Sequence, residues 1–302
     1  MKRLYHFLFI TLVSLAFVAG PGAALADSLV LSGVPEYSWY HGCSPTSGGM
    51  LMGYWAEHGY AGLLPGVTNP MVQSQAVNND ISSAAHNAQD TYQGHPANCI
   101  ADFMQTVGGG TYGPDIASGL ADWTTYVGLS VQTAAYRNVS LYGGSFSYTA
   151  FKNEINASRP MLLNLVTTVT GEGTVGHSVL AYGYQDNMFN LTIRTGSGHQ
   201  IISVPGFAVV DTWENGVGPG RQAEWKNSSG ATIYGLRDSN GVEWWPFLDL
   251  TTSYGYDFSG LWDWEIFSGV FYAAVPAHTP VPPTLVLLGS GLLVLLLKRR
   301  QR

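Results

Sequence analysis

Hydrophobic and polar positions divide this chain into a helix-patterned first half and a strand-patterned second half. Met50 with Tyr54, and Leu51 with Trp55, recur at i,i+4 and predict one apolar helix face over residues 43–58. Cys43 or Ser44 stands at the capping position, Pro45 occupies the first turn where its missing N–H costs nothing, and Gly59 supplies a stop. Gly48 and Gly49 are poor helix formers, so their presence predicts close approach of another backbone. Leu120, Trp123 and Val127 share a face in a helix opened by Asp115, and Phe151 with Ile155 mark another over 149–157, stopped before Arg159 and Pro160.

The period then changes. Residues 161–166 predict a buried strand, 177–184 alternate up to a turn at Gln185, Asp186 and Asn187, and 188–194 return as the hairpin partner. Residues 201–204 and 207–211 continue the sheet on either side of Pro205 and Gly206. Trp244, Trp245, Phe247, Trp262, Trp264 and Phe271 predict strands that close the core. Between these blocks, 27–40 form an extended lead-in and 59–79 a loop, 80–94 a polar surface or groove rim, and 98–104 a helical turn ended by Gly108, Gly109 and Gly110. Helices followed by a sheet is an α+β order.

Both ends carry address patterns. Lys2 and Arg3 precede an apolar run over 8–18 and then Ala24, Leu25 and Ala26, the layout of a secretory signal over residues 1–26. At the other end Pro280, Pro282 and Pro283 lead into an apolar stretch, 285–297, and a basic close from Lys298 to Arg302. That stretch makes a helix of about 20 Å, short for a hydrocarbon core of about 30 Å, and its basic end stays cytoplasmic. Residues 279–302 resemble a PEP-CTERM sorting tail of Gram-negative bacteria, with Val281 to Thr284 in place of the usual Pro-Glu-Pro. The resemblance implies an exosortase-type sorting partner, transient anchorage in the inner membrane, and release to the cell surface or extracellular matrix.

Charge narrows the partners. Of 13 basic residues two lie in the leader and four in the tail, so seven face 20 acidic ones, a net of about −13. That surface suits neither nucleic acid nor anionic lipid. The remaining residues, 27–278, are enough for one domain with one sizeable core.

Cys43 is the candidate nucleophile, because a helix N-terminus favours thiolate over thiol. A cysteine nucleophile needs a base within reach and a group that orients the base. His177 opens one predicted strand and Asp211 ends another, giving the order Cys, His, acid of papain-like enzymes. The separation of Cys43 and His177 falls in the range of about 130–150 residues common to that architecture. The blocks 34–55, 176–184 and 209–213 resemble a papain-like cysteine peptidase of the bacteriocin (double-glycine) leader-processing type, in an extracellular relative. The resemblance implies a papain-like α+β fold with the nucleophile helix on an antiparallel sheet. It also implies Cys43 as nucleophile, His177 as general base and then acid, Asp211 as orienting carboxylate, a peptide or protein substrate, and no cofactor.

One position departs from that family. Its members carry a glutamine shortly before the cysteine that helps hold the oxyanion, whereas residues 27–72 contain none, and Tyr37, Ser38, Trp39 and Tyr40 stand there. The N–H of Cys43 supplies one oxyanion donor and the indole N–H of Trp39 is the candidate second. The alternative is a peptidase-like binding or matrix module with weak or no catalysis.

Other readings stay beside these. Cys43 and Cys99 in an exported chain suggest a disulfide, against which Ile100, Phe103 and Met104 make Cys99 a small core residue. His41 lines the groove. His86, His95 and His199 show no metal-type pairing; His95 with Cys99 lacks a second pair nearby, so no metal is expected. Asp238, Ser239, Asn240 and Gly241 form a turn rather than a calcium loop, because the bidentate Glu is missing.

Overall fold

The computed structural model describes residues 27–169, 173–195, 198–212, 224–226, 232–234, 236–250 and 264–274. Residues 1–26 and 279–302, where the sequence leads one to expect a leader and a sorting tail, lie outside the described residues, as do Trp213 and Trp262. No helix among the described residues is long and apolar enough to cross a membrane.

The chain enters as β1 (Ser28–Val30) and then a helix-rich region: α1 (Cys43–Glu57), α2 (Gln75–Ile81), α3 (Ala84–Gln89), α4 (Ile100–Phe103) and α5 (Gly113–Tyr126). Next come β2 (Val131–Asn138), α6 (Tyr148–Asn156), β3 (Met161–Val169), β4 (Gly173–Thr195) and β5 (Gly198–Val210). The described C-terminal part holds β6 (Glu224–Lys226), β7 (Thr232–Tyr234), β8 (Leu236–Arg237), β9 (Glu243–Pro246) and β10 (Glu265–Ala274). The α+β order expected from the sequence is the order observed.

Among the described residues, eight strands form one antiparallel sheet in the order β2, β10, β3, β4, β5, β9, β8, with β1 joining β4 where β3 has ended. β6 and β7 pair separately. The last described strand, β10, inserts between β2 and β3, so the described C-terminal aromatics close the core. Trp244, Trp245, Phe247, Trp264 and Phe271 are all buried. Met161, Leu162, Leu163, Leu165, Val179 and Leu180 bury the centre of the sheet, each contributing about 1.5–3 kcal/mol of apolar burial.

Helix α1 is more central than its i,i+4 face suggests: every residue from Ser44 to Tyr54 is buried. It packs on β4, where the Ser47 hydroxyl donates to the Ser178 carbonyl at 2.9 Å. The two mid-helix glycines serve close packing, but against side chains rather than backbone. A Cβ on Gly48 would meet Met104 Cε at 2.6 Å and one on Gly49 would meet Ile81 Cγ1 at 2.5 Å.

Several boundaries differ from the periodicity. The predicted loop over 59–79 ends in α2, started by Ser74, whose hydroxyl accepts the Val77 N–H. The predicted rim over 80–94 contains α3, and His86 on it is fully buried, because α3 packs inward beside Asp102. β2 had no strong alternation, being an edge strand of mixed exposure. The expected hairpin turn at Gln185 to Asn187 is instead an irregularity inside one continuous strand, with Asn187 in the left-handed region at φ 50°. Register in the β4–β5 ladder shifts between Gln185 and Phe189, while β5 runs through Pro205 between Gly206 and Val204. The two predicted breaks face each other. Pro205, which has no N–H to donate, lies where the partner strand bulges, so the ladder resumes on both sides.

Candidate active site

Cys43 is delivered by a strained turn. His41 has φ 53° and Gly42, the residue before the helix, has φ 132°. Only glycine adopts the second freely, and a Cβ there would also lie 2.8 Å from the Gly109 carbonyl oxygen. No side chain caps the first N–H groups of α1, which leaves donors around Cys43. Thr46 locks the turn from inside the helix: its hydroxyl accepts the Tyr40 N–H at 2.9 Å and donates to the Gly42 carbonyl at 2.7 Å. The Trp39 N–H donates to the Thr212 carbonyl at 2.8 Å, which ties the approach to Cys43 to the residue after Asp211.

The fold brings Cys43, His177 and Asp211 together. His177 sits inside β4 rather than at its start, opposite Leu165 of β3, and Asp211 follows the last residue of β5. His177 Nε2 is 2.9 Å from Asp211 Oδ1, with the imidazole side chain fully buried and the carboxylate 8% exposed. The other face of the dyad's chemistry is the thiol, and Cys43 and His177 each shift the other's protonation. With Nε2 given to Asp211, Nδ1 is the ring nitrogen that serves Cys43. Trp264 packs its ring 5.5 Å from the His177 ring.

Electrostatics pull the pair toward its charged form. Burial pushes the Cys43 thiol up, but the His177 hydrogen bond and charge, the Ser178 N–H and the Ser44 hydroxyl together hold it below an ordinary thiol. Burial pushes His177 down, but hydrogen bonds to Asp211 and Cys43, and their charges, raise it to about 9. A thiolate beside an imidazolium is the resting state this arrangement favours.

A buried polar chain lies behind these groups. Ser44 Oγ and Ser178 Oγ are 2.9 Å apart, the Ser178 hydroxyl donates to Asn164 Oδ1 at 2.7 Å, and Asn164 Nδ2 donates to Ser268 Oγ at 2.9 Å. The chain joins α1, β4, β3 and β10. Sequence reasoning missed it, and missed the cover that Trp264 gives His177. One signal was present: Asn164 interrupts an otherwise apolar buried strand, where a lone amide needs partners.

Cys99 stands apart from this chemistry. Both cysteines are free thiols, so the disulfide between Cys43 and Cys99 does not form. Cys99 is fully buried and burial pushes its thiol up to about 12, the opposite of an activated nucleophile.

Ahead of Cys43, most polar groups are already committed. The Tyr37 hydroxyl, buried, donates to the Pro70 carbonyl. Gln73 clamps Ser38, accepting its N–H at 2.7 Å and donating to its carbonyl at 3.0 Å. The Tyr40 hydroxyl accepts from Asn87 Nδ2 at 3.0 Å. Trp39 remains 36% exposed, its ring stacked on His41 at 6.2 Å and beside Gly109. Asp238 makes the expected turn, accepting the N–H groups of Asn240 and Val242.

Among solved structures, the active wild-type interpain A cysteine protease of Prevotella intermedia is similar at 11% identity and a TM-score of 0.40, over 83% of this chain and 97% of that one. Among curated proteins, none matches this sequence. Residues 31–226 match the Peptidase_C39 like family, a span that is more than half of the chain and includes Cys43, His177 and Asp211. On that match, the chain belongs to the Peptidase_C39 like family of cysteine peptidases.

Proposed function

We propose that the protein is an exported cysteine peptidase that hydrolyses peptide bonds with Cys43 as nucleophile, His177 as acid and base, and Asp211 as the carboxylate that orients His177. The observation that carries this reading is the buried His177–Asp211 hydrogen bond of 2.9 Å beside a thiol held below its ordinary range. In the first half-reaction the Cys43 thiolate attacks the carbonyl carbon, and the His177 imidazolium gives its Nδ1 proton to the departing amine. Water then loses a proton to His177 as its oxygen attacks the thioester, and Cys43 leaves as thiolate. The Nε2 proton stays on the ring and is donated to Asp211 throughout, which holds the tautomer and ring orientation. The N–H of Cys43 and the indole N–H of Trp39 are the proposed oxyanion donors.

The substrate class proposed is a peptide or protein segment, as in the bacteriocin-leader-processing peptidases the sequence resembles. Export through the leader, transient anchorage by residues 279–302, and release by an exosortase-type enzyme to the surface of a Gram-negative cell complete the proposal. Labelling with a thiol-directed electrophile tests the chemistry: Cys43 is modified at neutral pH, Cys99 is not, and Cys43→Ala abolishes peptide cleavage. Full cleavage by Cys43→Ala overturns it. Fractionation of cells carrying the full chain and a version ending at residue 278 tests the address.

A second reading keeps the fold and drops efficient catalysis, leaving a binding or matrix module. It is favoured by the engagement of Tyr37, Ser38 and Tyr40 elsewhere, which leaves the position of the usual glutamine without an obvious amide donor. Sluggish alkylation of Cys43 at neutral pH selects this reading.

A further inference from the structure

Three buried side chains other than Cys43, His177 and Asp211 converge. His86 on α3, Cys99 just before α4 and Asp102 within α4 each have 3% or less of their surface exposed. A ring nitrogen, the Sγ and a carboxylate oxygen from these residues all lie within 4.8 Å of one another. His86 Nδ1 is 2.7 Å from Asp102 Oδ1, and His95 Nε2 is 3.6 Å from the same oxygen. Asp102 Oδ2 accepts the Asn98 N–H at 3.0 Å, which holds the carboxylate with Oδ1 toward both histidines. His86 Nε2 is buried with no hydrogen-bond partner. A solvent-excluded ring nitrogen of that kind needs a proton acceptor, a donor or a metal.

The donor set names the class of ion. Imidazole, thiolate and carboxylate together suit a borderline-soft divalent cation; magnesium and calcium take oxygen ligands alone. Tetrahedral bonds of about 2.0–2.3 Å set donor atoms about 3.3–3.5 Å apart. The His95 to Asp102 distance is already near that edge, and with His86 Nδ1 held by Asp102 the unpartnered Nε2 is the ring nitrogen available to an ion. His95 Nδ1 faces the Pro96 carbonyl at 3.2 Å, a partner that would steady the ring, while Nε2 now faces the Thr91 carbonyl at 3.0 Å, a contact that ligation would replace. The sequence shows only half of this set: His95, Cys99 and Asp102 have the short spacing of a metal loop, while His86 comes from a different helix.

We propose that His86, Cys99 and Asp102, with His95 as fourth ligand, form a structural site for a zinc-class divalent cation. The site staples the segment from α3 to α4 beneath the turn that carries Cys43. That segment reaches the turn through Asn87 to the Tyr40 hydroxyl, and through the Asp90 carbonyl, which accepts the Gly108 N–H at 3.2 Å beside Gly109. Four protein ligands, three of them with 3% or less of their surface exposed, mark it as structural rather than catalytic.

The test is Co²⁺ binding to the reduced, metal-stripped full chain, read by the sulfur-to-cobalt charge-transfer band and the visible bands of tetrahedral cobalt, with Zn²⁺ as competitor. The expected result is one equivalent of Co²⁺ bound by wild type and by Cys43→Ala, displaced by Zn²⁺, with the sulfur band lost in Cys99→Ser and weaker binding in His95→Ala. Folded wild type that retains neither Co²⁺ nor Zn²⁺ overturns the proposal without reference to any variant. A sulfur band that disappears in Cys43→Ala overturns it as well. Because the readout is metal binding, its failure leaves the proposed peptidase chemistry standing, and the reverse holds too.

Discussion

Ser44 Oγ and Ser178 Oγ lie 2.9 Å apart across the seam between α1 and β4, and each is the next residue after a member of the proposed reacting pair, Cys43 and His177. The relative placement of thiol and imidazole is therefore set by a hydrogen bond between their neighbours. Ser47, donating to the Ser178 carbonyl, adds a second tie one turn along the helix. All the hydroxyls and the amide of the chain through Asn164 to Ser268 are buried, so loss of one partner leaves another unmet in a dry environment.

Ser178→Ala is expected to cost about 1–3 kcal/mol in urea unfolding, the usual penalty for stranding a buried partner. It should also slow alkylation of Cys43. Ser268→Ala, at the far end of the same chain, should cost a similar amount of stability while leaving Cys43 reactivity at the wild-type level. Equal effects of the two on reactivity would show that the chain supports the core but does not place the thiol.

The charge state of the pair has a definite pH window. His177, raised to about 9 from an ordinary 6.5, keeps its proton until the pH climbs through about 9. Cys43, lowered, is already a thiolate below the ordinary thiol range. The ion pair thus exists from the depressed Cys43 value up to about 9, and kcat/KM should fall on an alkaline limb near there. In His177→Ala, burial of the thiol acts without its main counterweight, so the midpoint of iodoacetamide alkylation should move to higher pH. An unmoved midpoint would contradict the assigned cause.

Trp264 is 4% exposed and lies against the His177 ring. Trp264→Ala should destabilise by about 3–5 kcal/mol as a large-to-small core change. It should also lower the His177 alkaline limb, because water reaching the ring competes for the Asp211 and Cys43 hydrogen bonds. Trp264→Phe, which keeps a ring over the imidazole, should recover most of the limb. Differential scanning calorimetry and a pH–rate profile on both variants check this.

Gly49 tolerates no side chain without movement of Ile81. Gly49→Ala should destabilise by about 1–3 kcal/mol through overpacking. The double variant with Ile81→Ala should cost less than the two single costs added together, since each relieves the other. A double-mutant cycle from denaturant midpoints measures that coupling.

If Trp39 supplies the second oxyanion donor, Trp39→Phe should reduce kcat by about 10²- to 10³-fold with little change in KM. Tyr37→Phe should leave kcat near wild type, because its hydroxyl is spent on the Pro70 carbonyl. The reverse pattern would move the oxyanion donor to Tyr37.

Much of the candidate site was legible before any fold was known. Cys43 at a helix start, with His177 and Asp211 following in order, is a local pattern, and helix starts and buried strands announce themselves through a few neighbouring residues. The α+β order and the close contact at Gly48 and Gly49 followed from the same short-range rules, although the contacting groups turned out to be side chains. The break at Gln185 to Asn187 was misread because a turn and a bulge use the same residues, and only the partner strand, with Pro205 opposite, distinguishes them.

The sequence by itself determined which residues are candidates for the proposed chemistry: a thiol at a helix start, an imidazole and a carboxylate on successive strands, and the absence of a glutamine ahead of the thiol. Only the tertiary structure decided how they are held. Ser44 meets Ser178, Trp264 covers His177, Tyr37 turns away to Pro70, and His86 joins Cys99 and Asp102, each across a long stretch of chain. Side-chain type follows from local sequence, whereas the pairing of buried polar groups follows from which elements the whole core forces into contact, and no local pattern encodes that.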